Sequence, residues 1–347
     1  MKAIIHAGMP KTGSSSIQQT LMKKCPEDWV YPGRNKGNMG RQLMLMFEDE
    51  PWTATAFVNQ GASREDVLRQ KKIASEQLGR TLKAAAKAGK NTIFSAERLF
   101  NVNRRTVGRL HAYYADLGYE QSLLCYIRQP VSFMTSAFQQ NLKGGLPNLF
   151  NFDNLYKPYR GRIEKFDTVF GRENVILKAF EKDALTGGDV VVDFYAELGH
   201  ELPPGEANRV NETLSLPAVA LLYAQRVLGN GFQRGFAGAG RSNEMLVSAL
   251  ATIPGPKPQL SRELVAPIFK ENAEDIRWLE TRVGIDVLDN PDDEGPEAIR
   301  GHEHLLQDAH ANRDAIDALL DAELARDGDG PRDHLVREFR ALRKILK

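Results

Sequence analysis

From Gly8 to Ser16 the chain reads Gly-Met-Pro-Lys-Thr-Gly-Ser-Ser-Ser. A glycine-bounded loop that turns out of a strand into a helix points its backbone N–H groups at one spot. The helix start adds about half a positive charge there. Such a spot suits a phosphate or sulfate group. Gly8 and Gly13 have the spacing of the outer glycines of a nucleotide P-loop, but that pattern places its lysine directly after the second glycine. Here Ser14 and Ser15 follow, and the lysine has moved inside the loop to Lys11. Its ammonium is expected over the bridging side of a bound phosphate. A sulfuryl group carries one negative charge fewer than a phosphoryl group, so a lysine and backbone donors suffice to stabilise its transfer without Mg²⁺. No acidic strand end reads as a metal ligand, and no metal site is predicted. The same residues would also serve as an ordinary strand-to-helix turn capped by glycine and serine.

Two further positions carry chemistry. Arg128 follows the apolar run Leu123-Leu124-Cys125-Tyr126-Ile127. An arginine just past a strand sits at the carboxyl edge of a sheet, where α/β proteins bind ligands, and it can grip a phosphate bidentately. Ser136, eight residues on, is about two helical turns in and can face the same edge. Glu97 follows the run Asn91 to Ser95 and so falls at that edge too. A carboxylate there can take the proton of an attacking hydroxyl, a role worth roughly 10²- to 10⁴-fold; it could equally pair with Arg98 or cap a helix. His6 precedes the loop and reads as a core histidine able to assist, and His111 reads as structural.

These residues need a scaffold. Short strands are predicted at 2–7, 91–95, 121–127 and 174–178, separated by helices at 14 onward, 64–89, 103–117, 131–142, 153–170 and 188–198. That alternation argues for an α/β fold with a central parallel sheet covered on both faces, a three-layer arrangement like that of P-loop NTPases. Residues 31–61 read as an irregular excursion in which Trp52, with Trp29 and Tyr31 nearby, would line an acceptor pocket or belong to the core. Past residue 214 strand signals stop. Helices are expected at 215–228, 260–283, 303–325 and 332–346. The glycine-rich break at 229–242 holds Arg234 and Arg241, and the break at 286–297 holds six acids and no base. The division expected is a core over 1–228 and a mostly helical extension over 229–347. His302, His304 and His310 read as part of a solvated helix face.

Pro10-Lys11-Thr12-Gly13-Ser14-Ser15 resembles the 5′-phosphosulfate loop of the sulfotransferases that use 3′-phosphoadenosine-5′-phosphosulfate (PAPS). Arg128 with Ser136 is similar to their 3′-phosphate site. Glu97 resembles the catalytic glutamate of the heparan-type and many bacterial members; the histidine of the steroid and phenol enzymes has no counterpart. The likeness covers roughly residues 1–215, including Phe170 to Ile176 and Asn211 to Ser215. It implies that Lys11, Thr12, Gly13, Ser14, Ser15 and Ser16 hold the 5′ end of PAPS. Arg128 and Ser136 would hold the 3′-phosphate, with Arg234 and Arg241 as candidates to cover it. Lys11 would neutralise the leaving phosphate and Glu97 would act as base. The place that holds an adenine-stacking tryptophan in the soluble enzymes is Ser16 here, so no stacker is predicted. The implied reaction moves a sulfuryl group from PAPS to an acceptor hydroxyl on a carbohydrate, lipid or small metabolite. The rival readings are an Mg²⁺-dependent nucleotide kinase and a binding protein without catalysis.

Composition narrows the classes. The chain has 347 residues with 46 Lys and Arg against 45 Asp and Glu, a formal net charge of +1, so the basic excess of a duplex-DNA binder is missing. No apolar run approaches a membrane span of roughly 18 residues. The N-terminus has no signal-peptide pattern, and Cys25 and Cys125, far apart, read as free thiols. A cytoplasmic protein is expected, with a hydroxyl-bearing acceptor as partner, no nucleic acid, and homo-oligomerisation left open.

Overall fold

The computed structural model describes residues 1–33, 37–146, 149–152, 155–202, 213–229, 231–232, 239–284, 298–325 and 332–346. Contacts group the chain into two units. The first comprises Met1–Gln129, Pro158–Val210 and Arg277–Ile285; the second comprises Pro130–Lys157, Asn211–Ile276 and Asp286–Lys347. This grouping places 130–157 and 211–228 with the C-terminal residues, where the sequence suggested a single break at 228.

The first unit is built on five parallel strands: β1 (Lys2–Ala7), β2 (Trp29–Val30), β3 (Asn91–Ala96), β4 (Glu120–Ile127) and β5 (Val175–Ala179), in the order β2-β3-β1-β4-β5. Register follows the period-2 pattern. His6 lies beside Ser95 and Leu124, and Ile4 beside Ile93. One face of the sheet carries Ile4, Ile93, Leu124 and Tyr126. They bury against Ile17 and Leu21 of α1 (Ser14–Lys24) and against Val191 and Phe194 of α8 (Val190–Glu197). The opposite face carries Ile5, Phe94, Leu123 and Cys125, all buried. On that side lie α5 (Arg104–Ala115) and α7 (Arg160–Phe170), whose buried residues include Leu110, Tyr114, Ile163 and Phe166. Helices on both faces of a parallel sheet make the expected three-layer α/β fold. The caps are legible in sequence. Ser63 and Asp66 form a reciprocal capping box at α4 (Arg64–Lys87), and Asn103 caps α5.

Several elements differ from the sequence reading. The 31–61 excursion contains α2 (Gly40–Phe47) and the short α3 (Thr55–Val58), held by buried Leu43, Met44, Leu45 and Phe57. The helix expected from 153 starts only at Arg160, because Pro158 disfavours helix at the residue before it. Trp29 sits on the edge strand β2, its indole N–H donating to the Leu198 carbonyl (3.2 Å), and Trp52 stacks under Arg64. Both are packing residues.

The second unit contains α6 (Pro130–Lys143), α9 (Leu216–Val227), α10 (Ala239–Leu250), α11 (Arg262–Glu271), α13 (His302–Ala311), α14 (Asp314–Leu324) and α15 (Arg332–Ile345); α12 (Ala273–Val283) runs into the first unit. The helices expected at 260–283 and 303–325 are each broken, at Asn272 and at Asn312–Arg313. A two-residue parallel pair, β6 (Gln259–Leu260) with β7 (Ala298–Ile299), stands where no strand was expected. Arg234, Asn211, Glu212 and the acidic stretch at 286–297 lie outside the described residues. Both cysteines are free thiols; burial pushes Cys25 up to about 11 and Cys125 up to about 12. No described helix is long and apolar enough to cross a membrane.

Candidate functional site

The strand order places a crevice. From β1 the chain leads toward β3 and β2, while on the other side of β1 the strand β4 neighbours β5. Connections therefore part between β1 and β4, and ligands in open α/β sheets bind where connections part, at the carboxyl ends of the strands. The Gly8–Gly13 loop follows β1, and Arg128 follows β4.

The loop is tightly folded. Thr12 Oγ1 donates to the Met9 carbonyl at 2.7 Å. Gly13 takes a left-handed conformation (φ 75°) as the N-cap of α1, and its carbonyl accepts from Ser16 and Ile17. Lys11 is also left-handed (φ 70°), the one such residue other than glycine among the described residues. Within those residues, the backbone N–H groups of Lys11, Thr12, Gly13, Ser14 and Ser15 donate to no backbone carbonyl. Ser14 is 2% exposed, and its hydroxyl is buried without a hydrogen-bond partner. A Cβ built on Gly8 would stand 2.2 Å from Ser14 Oγ and 3.1 Å from Glu97 Cγ. Loop, helix start and glutamate therefore share one small space. Ser15 is half-buried and Ser16 buried, with Ser16 accepting from Thr20 Oγ1 through its carbonyl.

Glu97 opens a short 3₁₀ turn directly after β3 and is half-buried. Burial raises its carboxyl above the ordinary glutamate range, and the charge of Lys11 opposes that rise. The pairing with Arg98 does not form: Arg98 turns outward to Glu48, with Nη2 to Oε2 at 2.8 Å. The Lys11 ammonium is pushed down by burial; Glu97 pulls it back up and Arg128 pushes it further down. Arg128 is lowered by burial, with Tyr159 opposing.

The structure thus brings Lys11, Glu97 and Arg128 within electrostatic reach of one another. It also ties Arg128 directly to the loop. Arg128 Nη1 donates to the Lys11 carbonyl at 2.9 Å. Ser136 falls on α6 in the second unit and is half-buried. Arg241 lies on α10 of that unit, exposed.

Supporting residues emerge that the sequence reading did not single out. Met9 Sδ accepts from the Arg128 N–H at 3.4 Å, so one buried residue braces both the loop and the arginine. The Tyr159 hydroxyl donates to the Arg128 carbonyl at 2.9 Å, and Phe180 lies under its guanidinium at 5.9 Å. Phe180, directly after β5, could have been placed at the edge by its position; Tyr159, 31 residues from Arg128, carried no signal. Behind Glu97, Ser95 Oγ meets His6 Nδ1 at 2.8 Å and Gln18 Nε2 at 3.0 Å. His6 is fully buried, which lowers it to about 3, and its Nε2 has no partner. It is neutral at physiological pH and belongs to the core. His111 packs edge-on against Phe170, and His302 bonds Tyr223 at 2.5 Å.

As built, the site has the donors of an oxyanion cradle, a lysine, an arginine and a carboxylate held partly away from water. The donor set fits a phosphate or sulfate ester. No family model matches the chain, and no solved structure matches it. The chain is similar to an uncharacterised protein of Archaeoglobus fulgidus, 21% identical over 137 residues, a stretch that covers 39% of this chain and 37% of that protein.

Proposed function

We propose that this protein is a sulfotransferase that moves a sulfuryl group from PAPS to an acceptor hydroxyl. The observation that carries the reading is the crowding of Gly8, the unpartnered Ser14 hydroxyl and Glu97 at the head of α1, with Lys11 and Arg128 beside them. The free amides of residues 11–15 and the Ser14 hydroxyl hold the oxygens of the 5′ end. PAPS supplies, when bound, a sulfuryl group on a phosphate that leaves as a stable anion. Lys11 and the amides stabilise charge on that departing oxygen, and such preorganised donors are worth about 10²–10³-fold each. Glu97 takes the acceptor proton; burial raises its affinity for protons above that of an ordinary glutamate, which favours that work. Arg128 supplies positive charge for a nucleotide phosphate at the same edge.

The deciding measurement is calorimetric titration of 3′,5′-bisphosphoadenosine (PAP) and of ATP, each with EDTA and with Mg²⁺, on the wild type and on Arg128→Ala. PAP is expected to bind in EDTA and to weaken at least tenfold in Arg128→Ala, as loss of a charged hydrogen bond implies. Binding of ATP that requires Mg²⁺, without binding of PAP, would instead identify a kinase. Tight PAP binding with no transfer of labelled sulfate from PAPS to acceptors in an extract would identify a binding protein.

A further inference from the structure

A cavity lies in the first unit, away from the loop and between α2 and α4. Its volume is about 230 Å³. Leu45, Ala74 and Leu78 give it an apolar floor; Arg41 and the amides of Gln42, Gln70 and Gln77 give it polar edges. No carboxylate lines it among the described residues.

Arg41 is the notable wall. Its guanidinium donates to Gln70 Oε1 and lies 4.7 Å above the Phe57 ring, and these two contacts hold it in place. Among the described residues it has no acidic partner, whereas its neighbours Arg98, Arg105 and Arg109 are matched by Glu48 and Asp49. The α4 side of the cavity is uncharged: Gln70, Ile73, Ala74, Gln77, Leu78 and Thr81. Ile73 keeps about half its surface exposed at the rim (49%), an apolar side chain left for a ligand to cover. Arg41 is exposed and without an acidic partner among the described residues; with an apolar floor and amide groups beside it, it is complementary to an anion on a small apolar body, of which a carboxylate is the simplest.

We propose that this groove binds a small organic carboxylate with an aromatic or aliphatic body. α2 begins at the sheet edge that carries Glu97: the Met39 N–H, one residue before α2, donates to the Ser95 carbonyl at 2.9 Å. A Cβ on Gly40 would stand 3.5 Å from Arg98 Cβ. The binding proposed is independent of the sulfotransferase reading.

The test titrates 4-hydroxyphenylacetate and its neutral amide into the wild type, Arg41→Gln and Ala74→Leu, with PAP titrated into each as a control. The acid should bind the wild type at least about tenfold more tightly than the amide, the worth of one charge-assisted hydrogen bond. Arg41→Gln should remove that preference and leave the amide unchanged. Ala74→Leu, which fills the floor, should abolish both while the melting temperature stays within a few degrees of wild type. Equal binding of acid and amide, no binding of either, or a preference that survives Arg41→Gln would overturn the proposal. PAP binding that persists while the acid fails to bind sinks the groove alone; loss of PAP binding by the wild type sinks the sulfotransferase reading alone.

Discussion

Lys11 holds a left-handed backbone (φ 70°), which costs an L-residue about 1–2 kcal/mol. The strain keeps a charged side chain at a corner where glycine would sit comfortably. Two substitutions separate these effects. Lys11→Ala removes the ammonium and keeps most of the strain, so turnover should fall at least ~10²-fold with little change in Tm. Lys11→Gly should lose as much turnover and gain roughly 1 kcal/mol of stability. Equal Tm for the two variants would refute the strain; unchanged turnover in either would remove Lys11 from the chemistry. Glu97 gives a pH test. Its folded carboxyl is raised by burial against the pull of Lys11, so the base becomes ionised only above the ordinary glutamate range. The acid limb of kcat/KM should inflect there and vanish in Glu97→Gln, whose turnover should drop ~10²-fold or more. The stability sign is opposite. A carboxyl raised on folding favours the folded state at low pH and loses that contribution as pH rises through its folded value. Glu97→Gln should therefore melt higher than wild type at pH 8 and alike at pH 4; an equal gap at both would show the carboxyl to be unshifted.

At the scale of elements, the site is a strand end, a turn and a helix start, and its shape depends on the absence of one side chain. A methyl on Gly8 would stand 2.2 Å from Ser14 Oγ, a separation that real contacts do not allow, so Gly8→Ala must move the loop or the helix start. PAP affinity should fall at least tenfold while the far-ultraviolet circular dichroism keeps its shape. Unchanged affinity would place the phosphate seat elsewhere. The loop itself was legible because glycine spacing, a buried strand before it and hydroxyl residues after it all point to the same turn. Glu97 and Arg128 were legible because each ends an apolar run. The closeness of Arg128 to the loop was not, since the bond from its guanidinium to the Lys11 carbonyl joins residues 117 apart in sequence. The α2 helix was missed for a related reason: Gly-, Met- and Asn-rich sequence is a weak local signal, and burial of Leu43, Met44 and Leu45 makes the helix.

For the molecule as a whole, one buried charge cluster ties the first unit together. Asp193, 1% exposed, accepts from Tyr126 of β4, from Lys178 of β5 and from the Thr186 amide and hydroxyl. Burial would raise its carboxyl, but Lys178, Thr186 and Tyr126 outweigh that and hold it below the usual range. A carboxyl lowered on folding contributes stability at neutral pH and loses it as pH falls through its folded value. Asp193→Asn should thus cost about 1–3 kcal/mol at pH 7, with the difference from wild type closing as pH falls through the lowered value of the folded carboxyl. A difference that persists there would mean the charge is not what the cluster uses. The sequence alone determined the alternation of strands and helices, the glycine-bounded loop between β1 and α1 and the titratable residues at strand ends, because hydrophobic period, glycine placement and caps act over a few residues. Only the tertiary structure decided the strand order, and with it which strand ends face one crevice. It also decided that Arg98 turns away to Glu48, that His6 is buried neutral, and that Arg41 stands beside an apolar floor with no acidic partner among the described residues. These outcomes depend on contacts between distant segments, and on the desolvation those contacts impose, which no local pattern of residues encodes.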